Sequence, residues 1–231
     1  MIKLNVCAAR VPFMTQAQYS CYAKDSHARL VMGTEAVSRY VQTYIQHHVF
    51  DGAYGARTSA WRFDSISHIS TNSIEDQMAI KNTPEYREVI AADEPKFADA
   101  RSVSMTIVDE SPLALSVAGG SAHRLLHYGK AKAGAAGALH EHWALAHAEL
   151  SAKSPRVLKS VRRAVLNRAL PGPQGEPEFD AMGELGFLDR SDVPAMCDYV
   201  AMMEERLAPF LDRERSFYLL ADAVPVRGTL Y

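Results

Sequence analysis

Three histidines, two glutamates and a tryptophan fall within twelve residues, Leu139 to Leu150, in the stretch LHEHWALAHAEL. A metal site is the first chemistry such a stretch suggests. His-Glu-x-x-His on a helix places two imidazoles one turn apart around zinc, but here the second ligand would fall on Ala144. His140 and His142 lie about 200° apart on a helix turning roughly 100° per residue, so they cannot share an ion. His140 and His147 do share a face, yet no carboxylate or thiolate nearby completes a shell. No metal is expected.

On the same helix Leu139, Trp143, Ala146 and Leu150 form one apolar stripe, as a helix lying on a sheet requires. His147 sits at its edge beside Trp143, at the i, i+4 spacing where side chains touch. Two readings follow: a histidine hydrogen-bonded to backbone, or a pocket-rim imidazole serving as general acid or base. The stretch chiefly covers a sheet, and His147 is held as a catalytic candidate with Trp143 as a substrate-binding one.

These elements sit in a chain of 231 residues, 48% hydrophobic and 23% charged, with a formal net charge of −2. That balance belongs to an ordinary globular protein and gives no electrostatic reason to expect nucleic acid. The basic run SVRRAVLNR interleaves its charges with apolar residues, like a strand's solvated edge. No apolar run approaches the ~20 residues that span a bilayer, and the N-terminal residues lack a signal peptide's apolar core and cleavage site. Cys7, Cys21 and Cys197 are isolated and odd in number, which suits a reducing cytoplasm better than a disulfide framework. Cys21, near Tyr19, Tyr22 and His27, is a nucleophile candidate, against the commoner reading of a cysteine that merely packs.

The chain also matches itself. A constant shift of 120 residues lays YSCYAKDSHARL over LHEHWALAHAEL, with Ala23 on Trp143 and His27 on His147. The same shift carries Val37, Val41 and Ile45 onto Val157, Val161 and Val165 without a gap. In each half a short apolar run is followed by this helix and then by a segment read as a strand at period two, Val37 to Phe50 or Val157 to Leu170. A third strand, a second helix (Ile74 to about Ala91, or Val193 to about Leu211) and a final strand complete it. That is the split βαβ, or ferredoxin-like, order, with both helices on one face of an antiparallel sheet. The other face is left apolar and must find a second sheet. The expected fold is α+β: two tandem ferredoxin-like (βαββαβ) repeats, residues 1–112 and 121–231 about a linker at 113–120, packed sheet to sheet as an α/β barrel.

The aromatic or aliphatic positions at four-residue spacing that end in His-Ala, best seen in HWALAHAEL, resemble the first-helix motif of the EthD family in the dimeric α/β-barrel superfamily. The stretch TPEYREVIAADEPKFAD (Thr83 to Asp99) resembles that family's second helix. YSCYAKDSHARL matches more loosely, with Ala23 in the aromatic's place, and the second half reduces the other motif to LAPFLD (Leu207 to Asp212). The resemblance implies a small-molecule enzyme, oxidoreductase-like, in catabolism of ether or aromatic compounds. The superfamily holds cofactor-free monooxygenases, polyketide cyclases, isomerases and haem enzymes.

In this fold the cleft between helices and sheet is the natural pocket, and the first half is richer in polar groups. His27 and His68 are the leading acid/base candidates, with Tyr22 beside them. Tyr19, Tyr40, Tyr44, His48 and Trp61 are expected to orient a hydrophobic aromatic or polyketide-like substrate, a tyrosine hydroxyl steadying an oxyanion. The preferred activity is a cofactor-independent oxidation. Cyclase, lyase or isomerase chemistry is the alternative, and a small-molecule carrier or accessory subunit is a third reading. No dinucleotide fingerprint or phosphate loop occurs, VAGGSAH lacking the G-x-G-x-x-G spacing. Haem on a single imidazole stays open, as does a homodimer.

Overall fold

The computed structural model describes residues 1–50, 63–113, 120–172 and 177–229. Eight strands close one antiparallel barrel: β1 (Ile2–Ala8), β2 (Thr43–Val49), β3 (Ser65–Thr71), β4 (Ser104–Pro112), β5 (His123–Ala131), β6 (Val161–Ala169), β7 (Ala181–Phe187) and β8 (Leu211–Arg227). Their order around the barrel is β1-β3-β2-β8-β5-β7-β6-β4. The strands of each half are therefore neighbours, and the halves join along two edge seams, β2 with β8 and β4 with β6. Closure gives each of the eight strands a neighbour on both sides, which limits the usual route to edge aggregation. Of the linker 113–120, residues 114–119 lie outside the described residues.

The helices pack on the outer wall. The first begins at Thr15, whose side chain and that of Gln18 form a capping box. It runs as α-helix over Gln16–Cys21, widens to a π-helix over Tyr22–His27, and returns to α-helix over Ala28–Gly33. In the π-segment the Ala28 amide donates to the Ala23 carbonyl, five residues back; such bulges are uncommon and gather at functional sites. Its counterpart, Ala136–Lys153, is α-helical throughout.

Two stretches depart from the expected strands. Val37 and Val41 lie on a helical turn (Glu35–Ser38) and the bend after it, and β2 begins only at Thr43. In the second half Pro155–Ser160 is helical, with Pro155 in its first turn, and β6 begins at Val161. An i, i+4 valine pair fits one helical turn as well as an alternating strand, and here both valines turn inward together, Val37 and Val41 being buried in one cluster with Tyr44 and Ile90. The last helix stops at Leu207, and Leu211, expected to close it, opens β8.

The barrel interior is only half apolar. Cys7, Ile66, Leu126, Tyr128, Met182, Phe217 and Leu219 form one buried cluster, each large side chain contributing about 1.5–3 kcal/mol by leaving water. The other half holds Lys3, Arg124, His47, His68 and Glu184, all buried. The expectation of two wholly apolar undersides is corrected: charge fills one end. Arg163, from the basic run read as a solvated edge, joins that interior network.

Candidate functional site

Alternation along β1, β2 and β3 turns Leu4, Val6, Tyr44, Gln46, Ser65 and Ser67 outward, where the two helices of the first half cover them and leave a cavity of about 120 Å³. Tyr19, His27, Tyr44, Tyr86, Glu94 and Phe97 supply its polar and aromatic lining. This is about the space of one aromatic ring, since a ~150 Å³ apolar cavity accepts benzene.

His27 is held by the second helical region. Its Nδ1 lies 3.0 Å from Asp93 Oδ2, while Tyr22 Oη donates to Asp93 Oδ1 at 2.7 Å and Lys96 Nζ to the same oxygen at 3.0 Å. The Phe97 ring lies 4.8 Å from the imidazole, centroid to centroid. Burial works against ionisation of Asp93, but the donors Tyr22, His27 and Lys96 outweigh it and hold the carboxyl below its ordinary range. An ionised carboxylate accepts only, so a hydrogen sits on His27 Nδ1, and it is Nε2 whose lone pair the neutral ring would offer as a general base. Tyr22, hydrogen-bonded to that carboxylate, has its pKa pushed up to about 12.

The hydroxyls remain protonated. Burial raises the Tyr19, Tyr44 and Tyr86 phenols. Tyr19 Oη and Ser65 Oγ lie 2.6 Å apart, Gln46 Nε2 donates to Tyr44 Oη at 2.8 Å, and Tyr86 Oη donates to Glu94 Oε1 at 3.0 Å. Protonated hydroxyls at the wall of a largely apolar cavity are suited to an oxyanion.

The corresponding place in the second half is filled. Trp143, 2% exposed, stands where the first half has Ala23, and a Cβ added at Gly129 or Gly183 would come within 2.5 or 2.9 Å of its indole. Both positions must lack a side chain for the indole to lie on the sheet. His147 is buried with Nδ1 2.6 Å from Tyr199 Oη. Trp143 and His147 thus sit together in a packed cleft, remote from His27 in the chain's other half.

His68 does not share the His27 cavity. On β3 it has the opposite parity to Ser65, Ser67 and Ile69, which line that cavity, so its side chain enters the barrel. There His68 Nε2 lies 3.0 Å from Asn5 Oδ1 and Nδ1 lies 3.8 Å from Glu184 Oε2. His47 is beside it, the rings 4.3 Å apart. Burial drives the pKa of His47 down to about 3 and that of His68 well below its usual value. Tyr40 lies at the periphery, with Arg39 over its ring at 4.9 Å, and His48 bonds to Gln46 Oε1 at 3.0 Å by a separate surface hollow. Trp61 lies outside the described residues. Cys21 is exposed and donates to Asp25, which raises its pKa, the reverse of an activated thiolate. Burial pushes Cys7 up to about 12.

His47, His68 and Glu184 bring ligand atoms within 4.8 Å of one another, the one such cluster among the described residues. The charges around them oppose a cation. Glu184 already faces Lys3 at 3.4 Å, Arg124 at 3.1 Å and Arg163 at 3.2 Å. A divalent ion would add its charge to three buried or half-buried cations set against Glu184 and Glu110, at a cost in desolvation and repulsion. Haem does not fit beside His27 either, because its iron sits at the centre of a four-ring macrocycle and the cavity there has the space of one ring.

Sequence reasoning missed Asp93, Gln46, Tyr86 and Glu94. Asp93 lies sixty-six residues from His27, so no local spacing could pair them, although it falls within the TPEYREVIAADEPKFAD segment.

Residues 12–101 match the family model of the EthD domain. Over 117 residues the chain is 28% identical to the conidial pigment biosynthesis dehydratase EthD of Metarhizium robertsii, a match covering 46% of this chain and 80% of that protein. Among solved structures it is similar to an anthrone oxidase-like protein, with a TM-score of 0.70 at 11% identity over 99% of this chain and 94% of that one. It is also similar to a double variant of the chlorite dismutase from Candidatus Nitrospira defluvii, with a TM-score of 0.56 at 10% identity over 97% and 92% of the two chains. At these identities the structural likenesses establish the fold.

Proposed function

From the match of residues 12–101 to the EthD domain model, we propose that this chain is a proton-transfer enzyme for hydrophobic aromatic, polyketide-like ketones. The observation that carries the reading is the His27–Asp93 pair at the wall of an apolar cavity. His27 Nε2 takes the proton from the carbon next to the substrate carbonyl. The enolate oxygen is met by a hydrogen left over from the Tyr19–Ser65 hydroxyl pair. In a β-hydroxy ketone the β C–O bond then breaks, and His27 returns the proton to the departing hydroxide, so that water is the only by-product. Dehydration is also the activity in the name of the Metarhizium robertsii relative. Oxygenation, the activity preferred from sequence, starts from the same carbanion: a CH₂ group and O₂ give a C=O group and water.

The test uses 3-hydroxy-1-tetralone, which loses water to give 1-naphthol, with reactions run under nitrogen and under air. Turnover under nitrogen to a product 18 mass units lighter is expected by the chemistry of water loss. Turnover in air alone, with oxygen uptake, moves the reading to oxygenation. Binding without turnover in either atmosphere leaves a carrier. We further read residues 1–112 and 121–231 as two EthD-type units, of which the first keeps the working cleft.

A further inference from the structure

Beside the His27 cavity, along β4, lies a hollow of about 260 Å³, and Leu4, Gln77, Lys81, Val103 and Met105 line both spaces. The shared residues stand at the boundary between a one-ring chamber at His27 and a larger chamber that takes in Ser104 and Thr106. Lys81 is the one cation at this boundary among the described residues. It comes from the helix Ile74–Asn82, is partly buried, and points its Nζ at Met105 Sδ, 3.0 Å away. A thioether is a weak acceptor, and Lys81 forms no ion pair among the described residues. Burial lowers its pKa, while Glu94 in the inner chamber works the other way; Glu94 itself accepts from Tyr86. Glu178 is the other charged residue of the outer chamber among the described residues. An ammonium half-withdrawn from water and met by sulfur is a site short of an anion.

We propose that the two spaces join through a neck at Lys81 and that the natural ligand is an elongated aromatic carboxylate, its neutral ring in the chamber at His27 and its carboxylate on Lys81. This rests on the cleft being the binding site, as read above, and it names the substrate class and the residue that selects it. Lys81 is a specificity-determining residue and takes no part in the proton transfer. The carboxylate replaces the Met105 sulfur as the ammonium's partner, and the ring and chain of the ligand fill apolar surface on either side.

Binding of 3-phenylpropanoate and of its neutral analogue 3-phenylpropanamide to the full chain at pH 7, by calorimetry, tests this. Wild type is expected to prefer phenylpropanoate by about 10- to 100-fold, the worth of one charge-assisted hydrogen bond. Lys81→Met should remove that preference by weakening phenylpropanoate alone, and Lys81→Arg should retain most of it. Ala23→Trp, which fills the inner chamber, should abolish binding of both. Equal affinities in wild type, or a preference that survives in Lys81→Met, would overturn the carboxylate assignment while leaving the cleft in place. If both compounds bind and Ala23→Trp affects neither, the cleft reading itself falls. No binding of either compound to wild type overturns both.

Discussion

Asp93 holds the Nδ1 side of His27 at 3.0 Å, and Tyr22 and Lys96 hold the carboxylate's other oxygen. The pair fixes a tautomer as well as an orientation. In Asp93→Asn the side-chain amide can donate to Nδ1, which moves the imidazole hydrogen to Nε2 and removes the base. Turnover of the hydroxytetralone should fall about 10²- to 10⁴-fold in His27→Gln and in Asp93→Asn, with KM changed far less. A wild-type kcat in Asp93→Asn would remove the pair from the chemistry.

Ala23 and Trp143 occupy matching positions on the two first helices, and the side chain decides whether the cleft is open. Ala23→Trp copies the second half's solution into the first. The first half keeps Ser67 where the second has Gly183 below the indole, so the new ring will crowd the sheet and cost about 1–3 kcal/mol. The fold should persist by circular dichroism, and turnover should vanish. Activity retained in a folded Ala23→Trp variant would place the reaction elsewhere.

Much of this architecture could be read from spacing. The shift of 120 residues aligned Ala23 with Trp143 and His27 with His147, and each half does run strand, helix, strand, strand, helix, strand. Helical and strand periods are local, and so they appear in sequence. The π-helical widening at Tyr22–His27 has no such signature, because it depends on a single displaced hydrogen bond. Nor did side-chain composition reveal that His68 and His27 stand on opposite faces of the sheet, since that depends on strand register, which a one-residue slip would invert. The charged interior was the least legible feature. Lys3, Arg124 and Glu184 are distant in sequence, and each alone reads as an ordinary surface residue.

That interior makes Glu184 a structural linchpin for charge. Burial pushes its carboxyl up, but Lys3, Arg163, His68 and Arg124 outweigh burial and hold it well below the usual range. Glu184→Gln keeps the volume and leaves Arg124, 1% exposed at its side chain, without its carboxylate. Breaking such a pair from one side costs about 3–5 kcal/mol, to be read from the urea midpoint. Loss below about 1 kcal/mol would show the network to be as water-screened as a surface pair.

Acid should unfold this protein well before its carboxylates titrate. Burial lowers His47 and His127 to about 3, His48 to about 4, and His68 well below its ordinary range. In the unfolded chain each titrates near 6.5. Between those values the unfolded state binds protons that the folded state refuses, so stability rises with pH and is lost as pH falls from about 6.5 toward 4. At pH 5 the ceiling is about 2 kcal/mol per histidine, reduced wherever water reaches the ring. Glu184 adds loss of the same sign below its ordinary range, because its folded pKa is also depressed. Urea midpoints measured at pH 7.5, 6 and 5 should therefore fall steadily, with most of the drop below pH 6.5. His127 is the cleanest single probe, burial being the sole cause of its shift, and His127→Gln should flatten the curve by roughly one histidine's share. A midpoint constant from pH 7.5 to 5 would mean that these imidazoles protonate without cost in the folded protein.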